Sequence, residues 1–247
     1  MRLINIKKMI KYSFKLFGLS ISKSYNAKPI APNELKIEYV IDVGANEGQF
    51  AQELRKSSYN EFIYSFEPLF DAHKKLVLNS LNDPKWIIHK PVACGSQQGK
   101  LSINIAGNSA SSSIRTMLSS HLNAAPYSKT IGFQNIEVVT LDSEIERWLE
   151  VKAPIFLKID TQGYEEEVLA GAEKTLKVVE AVQIELSILE LYQGQKLYDY
   201  FFGFFAERDF LLFDIIPGFF NYKTGQLLQF DAIFVKKSYL KRYKTFE

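Results

Sequence analysis

The 247-residue chain has almost no cysteine: Cys94 is the only one. A single thiol excludes an internal disulfide and leaves too few thiolates for a cysteine-based metal site. It also favours a reducing, cytoplasmic compartment, and we interpret Cys94 as a small core residue. No spacing of His, Asp and Glu resembles a dedicated metal site, although open carboxylates at strand ends would suit Mg²⁺. The sequence therefore predicts no resident metal.

Long apolar runs are absent from the first twenty residues. The apolar side chains there recur at helical spacing, at Leu3, Ile6, Ile10, Phe14 and Phe17. Lysines interrupt them, so neither a signal peptide core nor a transmembrane length is present in this segment. Residues 1–20 are predicted to form a basic amphipathic helix. It either packs on the domain or a partner, or makes peripheral contact with anionic lipid.

Acidic residues are missing from the start of the chain. Seven of the 30 basic residues precede the first acid, Glu34, which leaves 23 basic against 28 acidic residues, a balance of −5. This balance argues against a nucleic-acid surface on the rest of the chain. Residues 20–33 contain serine, asparagine and two prolines and are interpreted as a linker. We therefore predict an N-terminal helix and linker over residues 1–33 and one domain over 34–247.

The glycine pattern of dinucleotide-binding proteins is also missing. An apolar run at 39–43 contains Asp42 and leads into Gly44 and Gly48, with Asn46 where that pattern has its middle glycine. The two glycines permit a tight turn, and the free amides of the following helix can receive a polar group. Asp42 is expected at the crevice where open α/β sheets bind ligands. A ligand without a diphosphate fits this turn better.

A second acidic residue closes the next predicted strand. The run at 62–66 ends in Glu67, 25 residues after Asp42. A carboxylate at the tip of the second strand is placed to accept hydrogen bonds from two ribose hydroxyls. Asp42 and Glu67 together predict a cofactor that contains adenosine.

The order of elements favours a doubly wound α/β sheet. Helices are predicted at 47–56 and 70–81, and strands at 86–93, 101–105 and 136–141, with Asp142 as the N-cap of a helix at 143–149. Residues 106–135 show no clear period; they are interpreted either as a lid or substrate-binding segment carrying Arg115, His121 and Tyr127, or as a surface loop.

The second half of the chain has a further strand that ends in an acid. A buried strand at 154–159 runs into Asp160, and the strand at 181–186 carries Glu185. A carboxylate that closes a central strand must be solvated, paired or used at a site. A helix follows at 196–209, and two strands at 210–216 and 229–235 are expected to pair antiparallel. The basic tail from Lys236 is predicted to be solvated.

These residues together resemble a known family. The matching strings are Val40-Ile-Asp-Val-Gly-Ala-Asn-Glu-Gly48, Phe66-Glu67-Pro68, Val139-Thr-Leu-Asp142, Lys158-Ile-Asp-Thr-Gln-Gly-Tyr-Glu165 and Val168-Leu-Ala-Gly171. They resemble the FkbM family of S-adenosylmethionine-dependent methyltransferases over roughly residues 37–235. The resemblance implies a Rossmann-like class I fold: a seven-stranded, mostly parallel sheet with an antiparallel last strand and helices on both faces. It also implies methyl transfer to an oxygen, commonly a hydroxyl of a sugar or polyketide.

The resemblance also implies roles for individual residues. The turn from Asp42 through Gly44 and Asn46 to Gly48 would hold the methionine part of S-adenosylmethionine. Glu67 would hold the ribose, and Val92 and Ala93 would border the adenine. Asp160 would lie beside the methyl group and the acceptor. Gln162 departs from the pattern, since many family members have glutamate there, so no role is assigned to it.

The chemistry needs few groups. A sulfonium already activates the methyl group, so the protein must align an acceptor oxygen and exclude water, and a carboxylate or imidazole can take the hydroxyl proton. Asp160 is the first candidate for that base, with Lys158, Glu185 and His121 as weaker candidates. The acceptor is expected to be a small molecule or glycan and not a nucleic acid. Methylation of a nitrogen or carboxylate, or a nicotinamide-dependent oxidoreductase, remains as an alternative.

Overall fold

The computed structural model describes residues 31–144 and 153–244 of the chain. The predicted N-terminal helix at residues 1–20 lies outside the described residues, as do all but two residues of the predicted helix at 143–149. The strands are β1 (Tyr39–Val43), β2 (Phe62–Phe66), β3 (Trp86–Ile88), β4 (Ala93–Cys94), β5 (Gly99–Ala106), β6 (Thr130–Val139), β7 (Ile155–Ile159), β8 (Ala181–Ser187), β9 (Phe210–Pro217), β10 (Phe220–Asn221), β11 (Gln226–Leu227) and β12 (Gln229–Lys236). The helices are α1 (Ala31–Glu34), α2 (Gln49–Lys56), α3 (Phe70–Ser80), α4 (Ser119–Ala124), α5 (Glu165–Ala170), α6 (Thr175–Val178), α7 (Tyr198–Ala206) and α8 (Lys237–Lys244).

Seven strands form the main sheet in the order β3-β2-β1-β7-β8-β12-β9. All neighbours are parallel except β12, which runs antiparallel to both β8 and β9. This is the Rossmann-like class I methyltransferase sheet with its antiparallel last strand, so the predicted fold class is confirmed. The carboxyl ends of β1, β2, β7 and β8 meet at one edge, and every acid predicted at a strand end lies there or beside it.

The two faces of the sheet differ in polarity. Ile41, Leu157 and Ile184 contribute to a large buried cluster that includes side chains of α5, α6 and α7. Each such side chain contributes about 1.5–3 kcal/mol when fully buried. On the other face the alternating residues of β1 and β7 are Asp42 and Lys158. Since strands are pleated, this face brings charged groups together at the centre of the sheet, where Ser65 and Gln183 of the neighbouring strands are also buried.

A second, smaller sheet pairs β4, β6 and β5. The predicted strand at 86–93 is two strands, because Pro91 lacks the amide hydrogen that a continuous ladder needs. The predicted strand at 136–141 begins earlier, at Thr130. Its first residues alternate between exposed and half-buried, and the exposed ones include Ile131 and Phe133, so they carry no clear buried stripe.

The last part of the chain confirms one prediction and corrects another. The strands β9 and β12 pair antiparallel, as expected from their direct connection. The tail after Lys236 was expected to be solvated, but Lys237–Lys244 is helix α8. Tyr239 is buried, and its hydroxyl donates to the carbonyl oxygen of Leu35 at 2.6 Å. One buried tyrosine gives no periodic apolar pattern in a basic segment, so the sequence did not predict this contact.

Candidate active site

The turn between β1 and α2 is built from three residues in the left-handed region. Gly44 has φ +77°, Asn46 +48° and Gly48 +92°. Asparagine is among the few side chains that adopt this region readily, which explains how it replaces a glycine here. A Cβ atom on Gly44 would lie 1.9 Å from the carbonyl oxygen of Asp160. The turn therefore lies directly against the end of β7, and only glycine fits.

Glu67 joins the turn to the end of β2. Its carboxylate accepts hydrogen bonds from the amides of Asn46 and Leu69, each at 2.8 Å. The side chain is buried, and burial raises its pKa to about 7 despite those two hydrogen bonds. A carboxylate has about four lone-pair positions, so two remain for a ligand. Beside it the Oδ1 atom of Asn46 is buried and has no hydrogen-bond partner in the described structure.

The residues predicted near an adenine lie behind this carboxylate. Ala93 belongs to a small cluster with Leu69 and Ala72, which lie two and five residues after Glu67 in the chain. Val92 is fully buried in the main core. An open carboxylate, an unpaired amide oxygen and a glycine turn thus meet at one crevice. This set fits an adenosine cofactor with a polar tail, whereas the individual contacts of Val92, Ala93 and Asn46 stay predictions.

Lys158 is held between two acids at the centre of the sheet. Its Nζ atom lies 3.5 Å from Oδ1 of Asp42 and 3.2 Å from Oδ2 of Asp160. Burial acts to lower the pKa of Lys158, but the carboxylates of Asp160 and Asp42 outweigh it and raise the pKa above its usual value. Burial also raises the pKa of Asp42, against the opposing effect of Lys158. As a permanent cation, Lys158 can orient Asp160 but cannot take up a proton.

Gln162 links Asp160 to Glu185 on the next strand. Its Nε2 atom donates to Oδ1 of Asp160 at 2.9 Å and to Oε2 of Glu185 at 2.6 Å. Both partners on that side are carboxylates, which fixes the orientation of the amide. Its Oε1 atom accepts from the hydroxyl of Tyr192 at 2.8 Å. Gln162, to which the sequence assigns no role, thus bridges Asp160 and Glu185, two acids predicted to belong to the site.

A cavity of about 160 Å³ opens beside this bridge. Gln162 and Glu185 line one part of it, and His121, Ser111, Phe219 and Gln229 line others. Burial raises the pKa of Glu185 well above its usual value, and the nearby carboxylates of Asp160 and Asp231 add to the effect. Four of the residues singled out from the sequence, Gln162, Glu185, His121 and Tyr127, therefore meet at one cavity. Asp160 does not itself line this cavity, but its carboxylate is joined to the cavity wall through Gln162, and its carbonyl oxygen lies against the turn at Gly44.

The segment between β5 and β6 covers the cavity. Ser113 Oγ donates to the carbonyl oxygen of Gln162 at 2.6 Å, and the amide of Leu118 donates to Leu191 at 2.8 Å. Arg115 forms an ion pair with Glu167 and stacks over the ring of Tyr164 at 5.9 Å. The interpretation of this segment as part of a substrate site is thus consistent with its position, although Arg115 pairs with α5 and does not line the cavity.

Several cavity residues carried no signal in the sequence. Phe219 and Gln229 line the cavity together with Gln162, and Tyr192, which does not line it, donates its hydroxyl proton to Gln162. These residues come from separate parts of the chain and lie together only after folding. Gln229 Nε2 donates to Oε2 of Glu185 at 2.7 Å, so Glu185 is held from two sides. Single-residue patterns do not encode such long-range contacts. The pair of aromatic residues Phe219 and Phe220 is the one feature of the sequence that could have drawn attention to this part of the cavity wall.

We expect Tyr192→Phe to lower the free energy of unfolding by about 1–3 kcal/mol, because it leaves a buried acceptor unpaired. The hydroxyl of Tyr192 lies 2.8 Å from Gln162 Oε1 and 3.0 Å from the carbonyl oxygen of Ser111, and its one proton serves these two acceptors. Urea denaturation measures the change. Tyr222→Phe is the matched control, since Tyr222 is 84% exposed. Equal stability of the two variants would contradict the role given to Tyr192.

Over residues 31–144 and 153–244 no three His, Cys, Asp or Glu side chains form a group suited to a metal ion. None of the helices in that part of the chain has the length and apolar character needed to cross a membrane.

The sheet, the glycine turn and the acidic strand ends define a class I methyltransferase whose cofactor is S-adenosylmethionine. The model of the methyltransferase FkbM domain matches residues 42–212, and the chain belongs to this family. The match includes Asp42, Glu67, Asp160 and Glu185, which carry the site described above.

Solved structures of similar shape are distant in sequence. An rRNA methylase from Streptococcus thermophilus is 12% identical, with a TM-score of 0.44 over 86% of this chain and 99% of that one. TehB from Haemophilus influenzae is 9% identical, with a TM-score of 0.47 over 87% and 65% of the two chains. Precorrin-6y C5,15-methyltransferase from Geobacter metallireducens is 10% identical, with a TM-score of 0.42 over 89% and 94%. A comparison with curated proteins finds no match.

Proposed function

We propose that this methyltransferase acts on oxygen and that its acceptor is a hydroxyl of a sugar ring, free or within a glycan, glycolipid or glycosylated metabolite. The observation that carries the proposal is the cavity beside Asp160. Hydroxyl, amide and carboxylate groups of Ser111, Gln162, Glu185 and Gln229 line it, next to the aromatic ring of Phe219. A polar wall beside an aromatic ring suits a ring that carries hydroxyls.

The volume of the cavity limits what it can enclose. At about 160 Å³ it is smaller than the roughly 300–1,000 Å³ of sites that bury whole drug-sized ligands. At roughly 30 Å³ per water molecule it has room for about five waters. One small ring fits this space, and the remainder of a larger acceptor would extend outward past the exposed side chain of Tyr127.

In this proposal the cofactor supplies an activated methyl group, and the protein aligns the acceptor and removes a proton. Glu67, Asn46 and the turn at Gly44 hold the cofactor at the ends of β1 and β2. Asp160 accepts the proton of the attacking hydroxyl, and Lys158 holds the Asp160 carboxylate in place from 3.2 Å. The segment over the cavity excludes water, so that the acceptor oxygen meets the methyl group in line.

The cellular setting is part of the same proposal. The single cysteine favours the cytoplasm, and residues 1–20 would give either a packing surface or peripheral contact with anionic lipid. Flotation of the full chain with phosphatidylglycerol vesicles, with and without Phe14→Ser and Phe17→Ser, separates these two. Loss of flotation in the double variant supports the lipid contact, and equal flotation ends it.

A methyl-transfer screen tests the proposed activity. The full chain is incubated with labelled S-adenosylmethionine and a panel of methyl hexopyranosides and short glycans, and mass spectrometry locates the new methyl group. We expect an O-methyl ether on one sugar hydroxyl. If label passes only to amines or carboxylic acids in a parallel panel, the oxygen acceptor is wrong, while the methyltransferase assignment stands.

A further inference from the structure

The one histidine at the cavity has no partner among the described residues. His121 is 2% exposed, and neither ring nitrogen forms a hydrogen bond. The other two histidines, His73 and His89, both have ring nitrogens near carbonyl oxygens, at 2.6 and 3.0 Å. Leaving a buried polar group unpaired is unfavourable, so an imidazole kept in this condition points to a ligand.

The position of His121 is fixed by its neighbours. It lies on helix α4, in the segment that covers the cavity. Its ring packs against Tyr192 at 5.3 Å and against Phe219 at 5.2 Å. Tyr192 also hydrogen-bonds Gln162, so a single aromatic residue separates His121 from the bridge to Asp160. The two rings fix the position of the imidazole in the cavity wall, but they satisfy neither of its nitrogens.

A second open polar atom lines the same cavity. Glu185 uses its Oε2 atom for the two amides of Gln162 and Gln229. Its Oε1 atom takes no hydrogen bond from the described residues. Glu185 is on strand β8 and His121 is on the covering segment, so the two open groups belong to different walls. A ligand between them must offer hydrogen-bonding groups in two directions.

Resting on the proposed function, we infer that His121 and Glu185 form a subsite for a second hydroxyl of the acceptor, distinct from the hydroxyl that is methylated. The acceptor is then a ring with at least two hydroxyls, such as a hexopyranose, and a simple secondary alcohol is a poor substrate. A hydroxyl donates one hydrogen bond and accepts another, which matches the carboxyl group of Glu185 on one side and, on the other, an imidazole that carries both a donor and an acceptor nitrogen.

The charge state of the histidine agrees with this subsite. Burial lowers the pKa of His121 to about 4. The ring is therefore neutral at pH 7, with one nitrogen as donor and one as acceptor. A neutral ring suits an uncharged polyol, whereas an anionic acceptor would require a cation at this wall.

Deoxy sugars and a histidine variant test the subsite together. The methyl hexopyranoside methylated best by the wild-type enzyme is compared with its monodeoxy analogues, in wild type and in His121→Phe. We expect one analogue, deoxygenated away from the methylated position, to lose about tenfold or more in kcat/KM with wild type. With His121→Phe the same deoxygenation should cost several-fold less in kcat/KM than with wild type, because only Glu185 still binds that hydroxyl. His121→Asn, whose amide has both an N–H donor group and a carbonyl acceptor, should restore part of the discrimination.

Controls separate this subsite from the proposed function and from folding. Calorimetry should give the same S-adenosylmethionine affinity for wild type, His121→Phe and the exposed-site control Tyr222→Phe. If no hexopyranoside is methylated, the proposed function fails. If one is methylated but no single additional hydroxyl matters, or the loss is the same in His121→Phe, the subsite is wrong.

A direct readout does not depend on the variant folding. The chain has three histidines, so the imidazole nitrogens of His121 can be resolved by nuclear magnetic resonance in the wild-type protein saturated with S-adenosylhomocysteine. Titration with the methyl hexopyranoside should move the His121 signals and leave those of His73 and His89 in place. Unmoved His121 signals at a saturating glycoside concentration would overturn the inference.

Discussion

Asp160→Asn is expected to lower kcat by about 10²–10⁴-fold, the range for loss of a general base. Asp160 follows β7 at the sheet edge; its carbonyl oxygen lies against Gly44 of the cofactor turn, and its carboxylate is joined through Gln162 to the cavity wall. Its two oxygens are oriented by Lys158 and Gln162, at 3.2 and 2.9 Å. Asparagine keeps the size of the side chain but cannot take the hydroxyl proton. The loss is measured by steady-state kinetics, with the glycoside that the wild-type enzyme methylates best as the acceptor substrate.

The variant must keep the fold and the cofactor site if this explanation is right. Calorimetry should show an affinity for S-adenosylmethionine within a few-fold of wild type, since Glu67 and the turn at Gly44 are unchanged. Asp209→Asn is the matched control, because Asp209 pairs with Lys237 at the surface and asparagine tolerates its φ of +61°. Near-normal turnover in Asp160→Asn would remove this residue from the chemistry and leave Glu185 as the next candidate.

The cofactor half of the site is predictable from the sequence because its signals are local. Asp42, Gly44 and Gly48 lie within seven residues, and each is explained by a strand end or a tight turn. Glu67 follows the next strand, and parallel strands bring consecutive carboxyl ends to one edge. The structure brings these residues together at that edge and adds two details that the sequence did not predict: Asn46 adopts a left-handed conformation in the turn, and the amide of Asn46 donates to Glu67.

The acceptor half is not predictable in this way. His121, Glu185 and Gln229 are separated by more than forty residues from one another, and the cavity exists only after the covering segment docks. That docking depends on single contacts such as Ser113 with Gln162 and Arg115 with Glu167. Periodicity reports which residues face a core, but it does not report which loops meet.

The contacts of Gln162 explain why this chain can have glutamine where many family members have glutamate. A glutamate at this position would place a third carboxylate against Asp160 and Glu185, and like charges at this distance oppose one another. The amide removes that repulsion and donates to both neighbours. Its left-handed φ of +55° is held by the hydrogen bonds of Tyr192 and Ser113 to its side chain and backbone. In this chain, position 162 therefore joins the two acids and is not itself an acid.

Glu67→Ala is expected to weaken S-adenosylmethionine binding by about 2–5 kcal/mol, the cost of removing one partner of buried, charged hydrogen bonds. This corresponds to roughly 30- to 5,000-fold in Kd. Glu67 is the buried carboxylate at the end of β2, and its two free lone-pair positions are those proposed for the ribose hydroxyls. Glu61→Ala at the start of the same strand is the control, since Glu61 is half exposed and pairs with Lys85. Calorimetry with S-adenosylhomocysteine measures both, and thermal unfolding checks that each variant is folded.

The pH dependence of binding tests the same carboxylate without removing it. Burial raises the pKa of Glu67 to about 7 in the free protein, so below pH 7 the group is protonated and has lost an acceptor. Binding to ribose hydroxyls favours the ionised form and must then release a proton. The affinity of wild type should therefore fall by up to about tenfold per pH unit from pH 7 to pH 5 and level off above pH 7. Glu67→Gln has no such proton to release, so its weaker binding should not follow this slope. A wild-type affinity that stays constant from pH 5 to pH 8 would show that Glu67 does not bind the cofactor as a carboxylate.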